Sequence, residues 1–512
     1  MDALIGIDIG TSGIKALLLD ADGNVLAARD STYPLSTPHL GWAEQEPAHW
    51  WSGAQRALRE LARAAEEQGA RIAGLALSGQ MNGAVLLDND LVPVRPCIIW
   101  ADARTASQCN EVHALVGREE LTAIAGKLAV TGYTAPKLLW VREHEPELFA
   151  RVRHLLLPKD FVRLCLTGEL ATDASDASNT LLFDIRSGEW CDSILEALDL
   201  DPAMLPAVMS STAQTGTVSK EAARLTGVPR GTPVFAGAGD SSAEAMGCGL
   251  VKPGPVLSVV GSAGNISAAC SVPVIDPQGS IHTGCHVSKG LWIITGVQQA
   301  AGLSVRWLVE NLKLFEDVHV QYPELDPYGI VIEQAASTPP GSEGLLFLPY
   351  LTGERTPHLD PRARGVFFGI DIRHTRAHFA RSVFEGVAFA QRDALELLHQ
   401  LGLPAEYLIA AGGGGRSQYW RQILADTMGL PVMATGNEHG AAFGAALLAG
   451  VGTGVFSDIQ EACRVSVHLA PVAAPEPANR KLYEDAYDLY RHLYPHLRPV
   501  FAGRPTGTAH VA

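Results

Sequence analysis

Two stretches, one in each half of the chain, follow the same plan, and that plan limits the fold more than any other feature. Near the start, two apolar runs flank Gly10-Thr-Ser-Gly13, and Asp22-Gly23 turns the chain back into a third run ending at Ala28. Tight turns between short apolar runs predict a three-stranded meander over residues 3–28. Far downstream, Val256-Leu-Ser-Val-Val runs into Gly261-Ser-Ala-Gly264 and another apolar run, repeating strand, Gly-hydroxyl-Gly turn, strand. A unit repeated in two halves argues for a duplicated domain, each copy giving one hairpin to a shared phosphate. Such turns expose consecutive N–H groups and hydroxyls, the chemistry of an anion cradle.

The rest of the chain must then supply helices. Residues 48–68 read as an amphipathic helix, 72–77 as a strand ending in Ser78-Gly-Gln-Met-Asn-Gly83, and 84–87 as another strand. Residues 105–225 are mainly helical by pattern, an insertion or cap on the first domain. Residues 375–401 form a long helix, and 470–480, rich in Ala and Pro, form a linker to a last helix over 481–495. The tail after Gly503 is expected to lack structure. A chain of 512 residues is too long for one core. The expected division is an N-terminal domain over 1–250, a C-terminal domain over 251–455, and a linker, helix and tail over 456–512.

A net charge of −16 argues against nucleic acid and anionic membrane as partners. Eight cysteines without a C-x-x-C pair fit a reducing cytosol rather than a disulfide framework or zinc site. No basic leader precedes the first strand, so a cytoplasmic location is expected.

Candidate site residues cluster where glycines interrupt apolar runs. Asp8 projects just before the first turn, Thr11 and Ser12 lie in it, and Lys15 follows closely enough to add charge. The same residues also read as a plain hairpin with an exposed Asp and a solvated Lys. Gln80, Met81 and Asn82 sit on a glycine-flanked strand end and suit the rim of a small-ligand site, or a tight turn with Met81 in the core. In Pro233-Val-Phe-Ala-Gly-Ala-Gly-Asp240-Ser241, an apolar run ends at two glycines and Asp240 stands where a helix begins. There it reads as an N-cap, and as a carboxylate able to take a proton from a bound hydroxyl. The charged form of a carboxylate is favoured at a helix N-terminus, so a low pKa is expected. Gly412, Gly413 and Gly414 follow a strand and precede a helix, where backbone can approach a ring or a phosphate. The whole set calls for phosphoryl transfer from a nucleotide to a hydroxyl. Mg²⁺ would be held through water by one or two carboxylates, Asp8 first.

These pieces resemble the FGGY carbohydrate kinases, within the sugar kinase/actin/Hsp70 superfamily, and most closely their xylulokinase branch, from Ile5 to about Leu493. The resemblance rests on Gly6-Ile-Asp-Ile-Gly-Thr-Ser-Gly13, Trp42-Ala-Glu-Gln-Glu-Pro47, Ser78-Gly-Gln-Met81, Trp100-Ala-Asp-Ala-Arg104 and Thr134-Ala-Pro-Lys-Leu-Leu-Trp140. Downstream it adds Gly239-Asp240, Leu351-Thr-Gly-Glu-Arg-Thr-Pro357, Gly365-Val-Phe-Phe-Gly369 and Gly412-Gly-Gly-Gly-Arg-Ser417. It implies an α/β fold of two RNase H-like domains around a central cleft, sugar held mainly by the first and ATP by the second. It implies Asp240 as catalytic base, Asp8 as the carboxylate near Mg²⁺ and the γ-phosphate, and Met81 and Asn82 as sugar contacts. Gly261 and Ser262 become the second phosphate hairpin and Gly412 to Gly414 the nucleotide site. The implied activity is ATP-dependent phosphorylation of a ketopentose, D-xylulose first, with ribulose, L-xylulose or erythritol as alternatives. A nucleotide-driven actin- or Hsp70-like protein without kinase activity is the alternative from another class. Two sugar-site residues depart from the branch: Asn82 stands where His is usual, and Ser241 where Asn is usual. The expected partners are sugar and ATP, without nucleic acid or membrane; a homodimer is an open arrangement for such a chain.

Overall fold

β1 (Asp2–Ile9), β2 (Gly13–Asp20) and β3 (Val25–Thr32) form the expected antiparallel meander. The computed structural model describes residues 1–436 and 439–503; the tail beyond, expected to lack structure, lies outside the described residues. After the meander, α1 (Pro47–Glu67) buries Trp50, Ala54, Leu58 and Leu61, a helical-period stripe, and leads into β4 (Arg71–Gly79). β4 pairs parallel with β1. Residues 105–225 are mainly helical, as expected, with short strand pairs among the helices. They include α2 (Pro158–Thr167) and end in β5 (Gln214–Thr217), which joins the main sheet. β6 (Pro233–Gly239) then pairs parallel with β4, and α3 (Asp240–Gly247) follows without a loop. The sheet order is β5-β6-β4-β1-β2-β3.

β1, β4 and β6 run parallel and finish level, because Ile9 lies opposite Gly79 and Gly79 opposite Gly239. The late helix Gly440–Gly452 packs against β1 so closely that a Cβ on Gly6 would stand 1.9 Å from the Ala442 carbonyl oxygen. That explains its small-residue composition. Gly237 is fixed by the sheet: its φ is +76°, and a Cβ there would lie 1.7 Å from the Leu77 carbonyl oxygen, at an irregularity in the β6–β4 register.

The chain divides into two units. The first comprises Met1–Pro253, Ala269–Ile294 and Gly436–His468; the second comprises Gly254–Ala268, Thr295–Thr435 and the chain from Leu469 onward. The units are discontinuous in the chain, because segments after 250 return to the first one. Gly440–Gly452 is one such segment, drawn back by the apolar face it covers on β1.

The second unit repeats the plan of the first. β7 (Gly254–Val260) pairs antiparallel with β8 (Gly264–Cys270) and parallel with β9 (Ala405–Ala411). α4 (Gly302–Trp307), α5 (Pro327–Ala336) and α6 (Arg376–Gln400) lie between β8 and β9 in the chain, and α7 (Gln418–Met428) follows β9. β10 (Val432–Thr435) extends the sheet in parallel. The expected linker over 470–480 is instead an edge strand, β11 (Leu469–Ala473), antiparallel to β10, followed by a helix from Pro477 to Gly503. Pro471 is tolerated because an edge strand leaves one row of N–H positions unused.

Gly237→Ala should lower stability by about 3 kcal/mol or more, since both conformation and space forbid the methyl. Urea denaturation measures it; a native midpoint would overturn the placement of β6.

Candidate active site

Because three parallel strands end level, the residues just beyond them share one edge of the first sheet, the edge where α/β sheets bind ligands. Asp8 is the penultimate residue of β1. Its Oδ1 accepts from the Ser78 hydroxyl at 3.1 Å, and Lys15 lies opposite it on β2. Gln80 was expected on the rim but is buried and braces the turn. Its amide donates to Gln45 Oε1 at 2.7 Å and its Oε1 accepts from the Thr11 hydroxyl at 3.4 Å. The Thr11 hydroxyl also accepts from the Trp100 indole at 2.8 Å, leaving Ser12 as the exposed hydroxyl of this turn.

Met81 and Asn82 follow. Asn179 donates to the Met81 sulfur at 3.3 Å, and a Cβ on Gly239 would stand 2.7 Å from that sulfur, so Met81 occupies the space the glycine leaves. Asn82 adopts φ +68°, and its carbonyl accepts from Lys137 at 2.7 Å and Thr134 at 3.1 Å. Its side-chain oxygen is buried without a hydrogen-bond partner. Through these two bonds the Thr and Lys of the Thr-Ala-Pro-Lys motif clamp the turn, and burial lowers the Lys137 pKa to about 7.

Asp240 is the first residue of α3, and Gly239 takes the cap position, so the N-cap reading is corrected. Asp240 Oδ1 accepts from the Ser241 N–H at 2.7 Å and its hydroxyl at 3.3 Å. The expected low pKa is corrected too. Burial, then the negative charge of Asp8, raise Asp240 to about 7, against which the Ser241 hydrogen bonds work. Burial likewise raises Asp8 to about 6, opposed by Ser78 and Lys15. A third carboxylate went unnoticed in the sequence: Glu244, one turn along α3, raised to about 7 by burial and then by Asp8. Its spacing of four from Asp240 is the signal that would have found it. Three carboxylates and one lysine thus crowd one sheet edge, an arrangement that a divalent cation would relieve. Among the described residues no three His, Cys, Asp or Glu side chains converge tightly enough to ligate a metal directly.

The second unit holds a cavity of about 350 Å³ lined by Gly261, Ser262, Gly413, Gly414, Tyr328 and Trp420 among others. Ser262 is exposed and its hydroxyl accepts from the Arg306 guanidinium at 3.0 Å, a cation the sequence reading missed. Gly302 abuts the turn, its N–H donating to the Gly261 carbonyl at 2.8 Å. The three glycines after β9 have separate reasons. Gly412 has φ +74°, and a Cβ on Gly414 would lie 2.5 Å from Val260. Gly413 has ordinary helical φ/ψ and open space where a Cβ would be. Glu354, from the Thr-Gly-Glu-Arg-Thr-Pro motif, is buried and accepts from the N–H groups of Gln299 at 2.9 Å and Arg355 at 2.7 Å, a bracing role.

The repeated hairpin sheets, the acidic strand ends and the glycine-lined cavity define a sugar-kinase fold, and comparison with known families agrees. The model of the FGGY family of carbohydrate kinases, N-terminal domain, matches residues 3–247, and that of the C-terminal domain matches residues 243–453. The chain belongs to the FGGY family of carbohydrate kinases. It is 37% identical to the xylulose kinase of Escherichia coli (strain K12) over 97% of this chain and 100% of that one. It is 36% identical to the xylulose kinase of Lactococcus lactis subsp. lactis (strain IL1403), over 96% and 97% respectively. The crystal structure of a xylulose kinase from Brucella ovis matches with a TM-score of 0.89 at 36% identity, covering 97% of this chain and 100% of that one. Among the described residues no helix is long and apolar enough to cross a membrane.

Raised carboxylate pKa values give a pH dependence of known sign. Between about pH 4 and 7 the folded protein holds protons that the unfolded chain has released, so stability falls as pH rises through that window. Asp240→Asn, which cannot ionise, should melt several degrees above the native protein near pH 8, and the gap should close toward pH 4. A melting-temperature series measures it; a gap independent of pH would refute the electrostatic account.

Proposed function

We propose that the chain is a kinase that transfers the γ-phosphoryl group of ATP to the terminal hydroxyl of a ketopentose, with D-xylulose as its substrate. The observation that carries the proposal is the level ending of β1, β4 and β6, which gathers Asp8, Met81, Asn82 and Asp240 at one sheet edge. The naming of its relatives as xylulose kinases supports the choice of sugar.

In this reading Asp240 orients the acceptor hydroxyl and takes its proton. A carboxylate held near pKa 7 is a better base than an ordinary Asp and still ionises at neutral pH. Ser241 orients that carboxylate and lies beside the sugar. Met81 supplies an apolar wall, and the unpartnered Asn82 oxygen suits a sugar hydroxyl as donor. Gln80 acts on the sugar indirectly, through the turn it braces. In the first unit the turn with Thr11 and Ser12 is assigned to phosphate, with Lys15 adding charge; in the second unit the turn with Gly261 and Ser262 is assigned likewise, with Arg306 adding charge. Thr11 contributes chiefly backbone, because its hydroxyl is engaged within the protein. Asp8 would hold Mg²⁺ through water, and the ion would supply positive charge to offset that of the phosphate oxygens. The nucleotide base and sugar are assigned to the cavity lined by Gly413, Gly414, Tyr328 and Trp420.

Gly413 separates function from packing. Nothing in the protein requires a glycine there, so Gly413→Val should keep the native melting temperature while weakening ATP binding at least tenfold by calorimetry. Native affinity would remove the cavity from the nucleotide site. For the reaction itself, ATP consumption against a panel of ketoses and polyols should be greatest with D-xylulose. Asp240→Ala should lose about 10²-fold or more in kcat while binding ATP as before; ordinary turnover in that variant would end the assignment of the base.

A further inference from the structure

Beneath the ends of β4 and β6 lies a buried charge cluster that the reaction outlined above leaves unused. Lys159, on α2, sits directly under Gly79: a Cβ on that glycine would come within 3.1 Å of the Lys159 Cβ. Its ammonium pairs with Asp160 at 2.7 Å, Asp173 at 2.9 Å and Asp176 at 3.5 Å, and all four side chains are fully buried. Hydrogen bonds lead from this cluster to β6. Asp173 Oδ2 accepts from the Ser175 N–H at 2.9 Å, the Ser175 hydroxyl at 2.6 Å and the Ser211 hydroxyl at 3.1 Å. The Ser175 oxygen in turn accepts from the N–H of Gly239 at 3.1 Å. The next residue is Asp240.

The direction of these bonds matters. Ser175 gives its one hydroxyl proton to a carboxylate that is itself fixed by Lys159, so its lone pairs are turned toward Gly239. Gly239 needs such a hold. It must be a glycine, because Met81 fills the place of its side chain, and glycine is the residue with the greatest backbone freedom. The carboxylate of Asp240 would inherit that freedom through its own backbone.

We propose that Ser175 is a positioning residue for the catalytic carboxylate: it transmits the fixed geometry of the buried Lys159–Asp173 pair to the Gly239 peptide and so holds Asp240 against the acceptor hydroxyl. The inference rests on the reading of Asp240 as the base. Ser211 provides the internal control. Its hydroxyl donates to the same Asp173 oxygen, yet it makes no side-chain bond to Gly239.

The test compares Ser175→Ala, Ser211→Ala and Asp240→Ala in the full chain, by melting temperature, by kcat, and by KM for sugar and for ATP. Both serine variants should lose similar stability. Ser175→Ala alone should lose about tenfold in kcat, the scale of a slightly misplaced catalytic group, with KM for ATP unchanged. Equal kcat in the two serine variants, at matched loss of stability, overturns the proposal. If Ser175→Ala does not fold, Ser175→Cys keeps the shape with a poorer acceptor and should show the same drop in kcat; native kcat there overturns it equally. Turnover retained in Asp240→Ala would instead overturn the reading of the base, a distinct failure visible in the same experiment.

Discussion

Everything proposed for the first unit depends on one constraint, the parallel pairing of β1, β4 and β6 in a register that ends all three strands level. Each strand contributes what its neighbour lacks: β1 a carboxylate and a Gly-hydroxyl turn, β4 a sulfur and an amide, β6 a second carboxylate at the start of a helix. A slip of one residue would reverse every side chain's face and disperse the set. The register is held by close contacts that tolerate no Cβ, at Gly6 against Gly440–Gly452 and at Gly237 against β4. Glycines that look like relaxations of the chain are here the points where it is least free to change.

The electrostatics of Asp240 show which of two opposed effects prevails. A helix N-terminus favours negative charge by roughly 1 kcal/mol or less in most settings. Removing a carboxylate from water and placing it near two others acts in the opposite sense and is larger, so the pKa moves up to about 7. The helix is also short, eight residues.

Much of the fold was legible because it is written locally. The Gly-hydroxyl turns announce their hairpins, α1 its apolar stripe, and the pause at Gly237 and Gly239 the passage from strand to helix. What escaped was settled by tertiary contact. Gln80 looks like a rim residue until Gln45 and Thr11 are seen around it. Arg306 lies 44 residues from the Ser262 it bonds, and Ser175 lies 64 from Gly239. No local pattern marks either pair. The segment 470–480 misled for another reason: its alanines and prolines describe a linker well, yet an edge strand accepts the same composition when β10 stands waiting beside it. Glu244 is the one omission that spacing alone exposes, four residues after Asp240 on a helix already expected.

The departure at Asn82 becomes intelligible on the same grounds. Its φ of +68° belongs to a region that Asn, Asp and His occupy several-fold more often than other residues with side chains. The carbonyl clamp from Lys137 and Thr134 acts on the main chain and is indifferent to what the side chain is. Asn therefore suits the conformation of the turn, and in the proposed site its side chain would be the group that meets the sugar. What the side chain offers is a neutral amide whose oxygen is buried and unpartnered. Because a buried acceptor left unpaired costs about 1–3 kcal/mol, a substrate hydroxyl that reaches it is distinguished from one that does not. In the proposed sugar site, position 82 would therefore affect the choice among ketoses through its side chain, while its backbone stays held by Lys137 and Thr134.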